Sequence, residues 1–303
     1  MQFKQKMQQV TFLVIAAFFW GTTFVAQRIA GRSQGAFTFC CIRNVVAVIL
    51  LTPVIRILES RYPAWKDRDR EENAAILKGG FVTGIFLALT AIFQQIGITM
   101  GTSAGKAGFL TSCYIVLVPV LGIFFRKKCK SSIWLSVVLA IAGLYLLCVT
   151  DGVSYEQSDI YVLICSLACA FQIISVDHYA PQIKNPVRLA QMEFGVCAAI
   201  CAIPMFWVEM QHSMAGLQLW LQSLTDIRAW IPVLYAGVFS SGVAYTLQIF
   251  GQKDLNPTIA SLVMSLESVF SVLAGALILH EVMSGKEIMG CIILLIAVIL
   301  AQI

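Results

Sequence analysis

The chain reads as an all-α integral membrane protein of ten transmembrane helices, built as two inverted five-helix repeats. Three observations predict this. Hydrophobic residues make up 59% of the 303 positions and charged residues 12%, a balance that would leave the helix faces of a water-soluble domain without charge. The charges gather in short gaps, and the stretches between them run for about 20 residues, enough to cross a hydrocarbon core as a helix. The second half of the chain also repeats the first at a nearly constant offset.

The elements follow in order. The first helix, 8–30, comes after Lys4 and Lys6 as a signal peptide would, but its apolar run continues past Trp20 without a small-residue cleavage pattern. The second, 36–57, precedes a mixed-charge block from Arg56 to Glu72 that reads as a solvated loop. Further apolar runs predict helices at 79–100, 103–125, 132–149, 159–180, 188–209, 229–250, 257–279 and 286–302. The gaps are short, so consecutive helices should be antiparallel neighbours with little mass outside the membrane. Of the ten cysteines only Cys129 falls in a loop, so no disulfide framework is implied. The others pack as small hydrophobes, and neither a metal site nor a cofactor is expected.

Lysine and arginine set the orientation, because positive loops stay on the cytoplasmic side. With the N-terminus inside, fifteen basic residues fall in inner segments, among them Lys66, Arg68 and the run Arg126 to Lys130, and only Arg32, Arg228 and Lys286 fall outside. Both termini are therefore expected in the cytoplasm of a plasma-membrane protein. The net charge of +5 is a topology signal, not a nucleic-acid footprint.

An offset of 153 aligns Gly84 with Gly237, Gln95 with Gln248, Ala107 with Ala260, Ser112 with Ser265 and Gly122 with Gly275, while an offset of 151 places Pro53 on Pro204. This predicts repeats at 1–151 and 152–303. Five helices is an odd number, so the second repeat enters the membrane in the opposite sense, as in alternating-access transporters.

Several motifs occur in order along the chain. They are Trp20-Gly21-Thr22-Thr23-Phe24-Val25, then Arg43, then Thr102 to Tyr114 followed by Val118-Pro119, then Ala244-Tyr245 with Gln248, then Pro257, Ser265-Leu266-Glu267-Ser268-Val269-Phe270, and Glu281. Together they resemble the drug/metabolite transporter superfamily, EamA type, over nearly the whole length. Two positions depart: Ser268 stands where the family often has proline, and Arg126-Lys127-Lys128 where it has a Gly-Glu pair. The resemblance implies a ten-helix secondary carrier of amino acids, nucleosides, sugars or amphipathic drugs.

Polar side chains at membrane depth are costly unless they face a cavity or a partner, so they mark the candidate site. From a rise of about 1.5 Å per residue, Glu267, Trp20, Gln172 and Tyr114 fall near mid-bilayer. Arg43, Gln94, Gln95 and Lys106 fall in the outer part, and Gln191, Glu193, Tyr245, Gln248 and Gln252 in the inner part. Arg43 and Glu193 differ in depth by about 12 Å, which disfavours an ion pair between them. Tyr245, Gln248 and Gln252 recur on one helix face and should point inward. The expected substrate site is Trp20, Arg43, Gln95, Tyr114, Gln172, Tyr245, Gln248 and Glu267, with Glu267 as the proton-coupling group. Gln94 and Gln95 are adjacent and cannot share a face, so one of them is expected to join helices instead. Lys106 reads as an interfacial snorkelling residue and His178, His212 and His280 as interfacial. Gly80/Gly84 and Gly101/Gly105 read as close-packing pairs.

The expected function is alternating-access transport of small polar or amphipathic metabolites such as amino acids, by export or exchange, with a small-molecule substrate and the lipid bilayer as partners and no nucleic acid. A channel is the first alternative, and it would want rings of like groups along a wet pore. A membrane enzyme is the second, and neither a His-Glu-x-x-His motif nor a close aspartate dyad occurs in the sequence.

Overall fold

The computed structural model describes residues 2–32, 34–124, 131–148, 156–253, 255–279 and 284–301. Among them the regular structure is helical, with no β-strand. Eight helical units are long and apolar enough to cross a membrane, and two shorter apolar helices, Ile133–Leu146 and Ile288–Leu300, stand where the fifth and tenth spans are expected. The expected repeat boundary at 151, the basic run 126–130, and His280 and Glu281 lie outside the described residues.

The first three spans are α1 (Gln2–Ala30), α2 (Ala36–Arg61) and α3 (Arg70–Thr99). Two of them begin earlier than expected. In α3 the reason is a cap: the Asp69 carboxylate accepts from the Glu72 amide at 2.7 Å, starting the helix within the polar block. At the far end Gly101, with φ of 126°, turns the chain into the next span, and nothing crowds its Cβ position. Its role is therefore conformational, not the close packing expected of the Gly101/Gly105 pair.

The fourth span is broken into α4 (Ala104–Ser112) and α5 (Tyr114–Phe124), after which come α6 (Ser131–Cys148), α7 (Gln157–Tyr179) and α8 (Pro186–Pro204). The 210–228 gap, expected as a bare loop, holds a short helix α9 (Met214–Ser223), which the Ser213 side chain caps. The eighth span runs through α10 (Ile227–Tyr235), a π-helical stretch Ala236–Tyr245 and α11 (Thr246–Gln252). The ninth is broken into α12 (Pro257–Met264) and α13 (Leu266–Leu279), and α14 (Gly285–Leu300) closes the chain.

The fourth and ninth spans break at equivalent points. Without a proline at position 268, the ninth still breaks at Ser265, whose hydroxyl donates to the Leu262 carbonyl at 2.7 Å. Ser268 instead joins helices: its hydroxyl lies 2.6 Å from that of Ser112 and 3.0 Å from the Gly108 carbonyl.

The packing is related by the same exchange of halves. α1 lies against α10–α11 and α13, as α7 lies against α3 and α4–α5, while α2 pairs with α8 and α6 with α14. Gly84 and Gly237 show why glycine stands at these crossings. A Cβ on Gly84 would sit 2.8 Å from the Glu193 carbonyl, and one on Gly237 would sit 3.0 Å from the Arg43 carbonyl.

Helices α2 and α8 are clasped at both ends. The Glu59 carboxylate, at the end of α2, accepts from Arg188 Nη2 at 2.7 Å and from Arg188 Nε, and from the Asn185 side chain at 3.3 Å. At the other end Glu209, just past α8, accepts from the backbone amides of Phe37 and Thr38, each at 2.8 Å. The N-cap of α2 is Gly35, which has no side chain to offer, so Glu209 supplies the negative group that a helix N-terminus favours. The surface around this bundle is apolar, with Ile49, Phe81, Phe124, Leu135 and Leu277 all more than half exposed. Polar residues such as Gln95, Gln172, Glu193 and Ser265 are buried inside. That distribution suits a lipid surround.

Candidate functional site

A cavity lies at the centre of the bundle, among α1, α2, α3, α4, α5, α7, α11, α12, α13 and the π-helical stretch. Seven of the eight expected residues line it: Trp20, Arg43, Tyr114, Gln172, Tyr245, Gln248 and Glu267. Gln95 does not. It is fully buried, and its amide donates to the Gln27 carbonyl at 3.2 Å and to Thr99 Oγ1 at 3.4 Å. Adjacent helical residues point about 100° apart, so only one of the pair can face the cavity. That residue is Gln94.

Each wall follows from a helical spacing. Trp20, Thr23, Phe24 and Gln27 present one face of α1. This stripe at i, i+3, i+4 and i+7 is visible in the sequence and would have added three residues to the site. Thr90 and Gln94 come from α3, Thr111 from α4, and Tyr114 from the start of α5 just past the break. Glu267 stands in the first turn of α13, equivalent to Tyr114 under the 153-residue offset.

These two repeat mates meet. The Tyr114 hydroxyl donates to Glu267 Oε1 at 3.0 Å, and the Ser112 hydroxyl donates to the same oxygen at 3.4 Å. The carboxylate is therefore tied to the opposite half at the point where both broken spans converge. Helix breaks make this possible, because the turn after each break carries its side chain toward the centre.

Two amide networks complete the walls. Gln27 Nε2 donates to Gln94 Oε1 at 2.9 Å, and Gln94 Nε2 donates to Thr111 Oγ1 at 3.1 Å. Opposite them, Gln248 Nε2 donates to Gln172 Oε1 at 3.0 Å, and Gln172 Nε2 donates to Glu193 Oε1 at 2.7 Å. The Trp20 and Tyr245 rings meet edge-on with centroids 4.8 Å apart, giving the cavity an aromatic side. Gln252 lies buried below, outside the lining, with neither amide atom partnered among the described residues.

Arg43 and Glu193 make no ion pair with each other among the described residues; they hold equivalent places in the two halves. The carbonyl of each faces the glycine of a repeat pair, Gly237 for Arg43 and Gly84 for Glu193. The contacts thus put α2 and α8 in register at an offset of 150, one residue from the offset that the prolines suggest. Lys106 does not simply reach toward solvent. Its Nζ lies 2.6 Å from Asp159 Oδ2, an ion pair joining α4 to the start of α7.

The sequence signature of the EamA-like transporter family matches residues 7–149 and matches again over 157–302. The chain belongs to the EamA-like transporter family. Curated relatives agree. An uncharacterized transporter of Archaeoglobus fulgidus is 28% identical over 294 residues, covering 96% of this chain and 84% of the relative. The uncharacterized transporter YwfM of Bacillus subtilis is 25% identical, covering 95% and 91%. The uncharacterized inner membrane transporter YedA of Escherichia coli is 22% identical, covering 100% and 93%. A solved crystal structure superposes with a TM-score of 0.70 at 13% identity over 97% of this chain and 96% of the other, a likeness of fold. This EamA-type chain is thus a multi-pass membrane transporter.

Proposed function

We propose that the chain is an alternating-access secondary carrier of small polar or amphipathic metabolites, amino-acid-like in character, working by export or exchange across the plasma membrane with both termini cytoplasmic. The observation that carries this reading is the hydrogen bond between Tyr114 and Glu267, repeat mates held together at the central cavity. A solute bound there touches both halves at once, so rocking one half against the other transfers it without dismantling the site. The clasps at the two ends of α2 and α8, Glu59 to Arg188 and Glu209 to the amides of Phe37 and Thr38, then open by turns. Glu267 is the coupling group in this reading, exchanging a proton as the cavity faces one side and then the other. Tyr114 and Ser112 hydrogen-bond it, and Arg43, Cys169 and Tyr245 are the other ionisable groups in the cavity wall.

Cys169 offers a direct test because it is the cysteine in that wall. With the other nine cysteines replaced, an impermeant maleimide should label Cys169 from either face of oriented vesicles, and transported solute should protect it. Labelling from one face only, under every condition of pH and solute, would remove the cavity from the transport path.

A further inference from the structure

We propose that the solute carried by this protein bears a single carboxylate, which docks on Arg43. The inference rests on the cavity being the transport site, as proposed above, and names the chemistry that site selects.

Among the polar groups of the wall, Arg43 is set apart by what it lacks. Gln27, Gln94 and Thr111 are bound to one another, Gln172 and Gln248 are bound to each other, and Glu267 Oε1 is held by Tyr114 and Ser112. Arg43 is 3% exposed and lines the cavity, yet its Nε has no partner and its guanidinium forms no ion pair among the described residues. The Phe39 ring, 5.6 Å from the guanidinium carbon, stabilises a cation but accepts no N–H···O bond. The indole Nε1 of Trp20, in the same wall, is likewise buried without an acceptor. The Thr90 hydroxyl of the same wall is unpartnered too, so each of the three unmatched groups can donate to a bound oxygen. Glu193, the equivalent of Arg43 in the other half, is buried outside the cavity lining, with one oxygen bound by Gln172 and the other unpartnered, and it forms no ion pair with Arg43 among the described residues.

A buried guanidinium is strongly disfavoured unless a negative group meets it, and its planar fork fits a carboxylate through two parallel hydrogen bonds. One arginine balances one negative charge. A phosphate, at about −1.5 to −2, would exceed it. The aromatic side formed by Trp20 and Tyr245 gives the rest of such a solute an apolar surface.

The test is a thermal-shift titration of purified full-length protein with matched solutes: L-alanine and L-alaninamide, L-phenylalanine and L-phenylalaninamide, succinate and succinamide, glycerol 3-phosphate, uridine and glucose. Monocarboxylates should stabilise the protein and their amides should not. Arg43→Gln should raise the half-saturating acid concentration ~10-fold or more. Arg43→Lys, which keeps the charge without the fork, should keep the acid preference at higher concentration and covers the case in which the glutamine variant fails to fold. The proposal is overturned if amides, uridine or glucose act as well as the acids, if succinate or glycerol 3-phosphate outranks every monocarboxylate, if Arg43→Gln leaves the acids unaffected, or if no monocarboxylate in the panel stabilises the protein. Neutral solutes that bind and protect Cys169 would overturn the carboxylate alone and leave carriage intact. Acids that bind and never protect Cys169 would count against the cavity as the transport site.

Discussion

Glu267 receives hydroxyl donors from α4 and α5, so one side chain both joins α13 to them and lines the cavity. Replacing it with glutamine keeps the shape and removes the exchangeable charge. Uptake assays with Glu267→Gln should show loss of accumulation driven by a proton gradient, with solute exchange retained; full gradient-driven accumulation would sink the coupling role. Tyr114→Phe removes the shorter of the two hydrogen bonds to the carboxylate and should lower stability by about 1–3 kcal/mol, read as a fall in the unfolding midpoint. At this scale the sequence was informative where a long polar or charged side chain stood within an apolar span, as Arg43, Gln172 and Glu267 do. It was ambiguous at Gln94 and Gln95, because neighbours on a helix differ only in direction and depth says nothing about facing. The threonines of the wall, Thr23, Thr90 and Thr111, gave little signal, since a threonine can satisfy itself on its own helix, as Thr23 does with the Phe19 carbonyl at 2.6 Å.

Helices cross closely where a glycine removes a side chain, and the two repeats place such glycines at matching crossings. Gly237→Ala would set a Cβ 2.8 Å from Val46 Cβ and 3.0 Å from the Arg43 carbonyl, and should cost about 1–3 kcal/mol. Gly105→Ala, whose Cβ would meet only a Val272 methyl at 3.6 Å, should change stability by less than about 0.5 kcal/mol. Parallel unfolding curves of the two variants check this, and equal losses would remove the close-approach explanation. The spans themselves were legible from apolar run length. Their ends were less so, because α3 continues two turns into the charged block on the strength of the Asp69 cap. Helix α9 escaped notice because ten residues flanked by polar loop carry too short an apolar pattern to stand out.

Across the whole molecule, the breaks in the fourth and ninth spans match, and α2 and α8 are clasped at both ends, as two related halves would be. The basic residues concentrated in alternate gaps predict the sidedness. A reporter active only outside the cell, fused to the C-terminus, should stay silent, and a strong signal would invert the topology. Glycines and polar residues recur at a fixed offset in the sequence, while the 150-residue register of α2 with α8 needed contacts to see. Carriage by alternating access is tested by counterflow in proteoliposomes. Liposomes loaded with an unlabelled solute should take up the labelled solute faster than empty ones, with saturation, because a carrier returns loaded more readily than empty. Uptake that is neither saturable nor accelerated by solute on the far side would contradict the account.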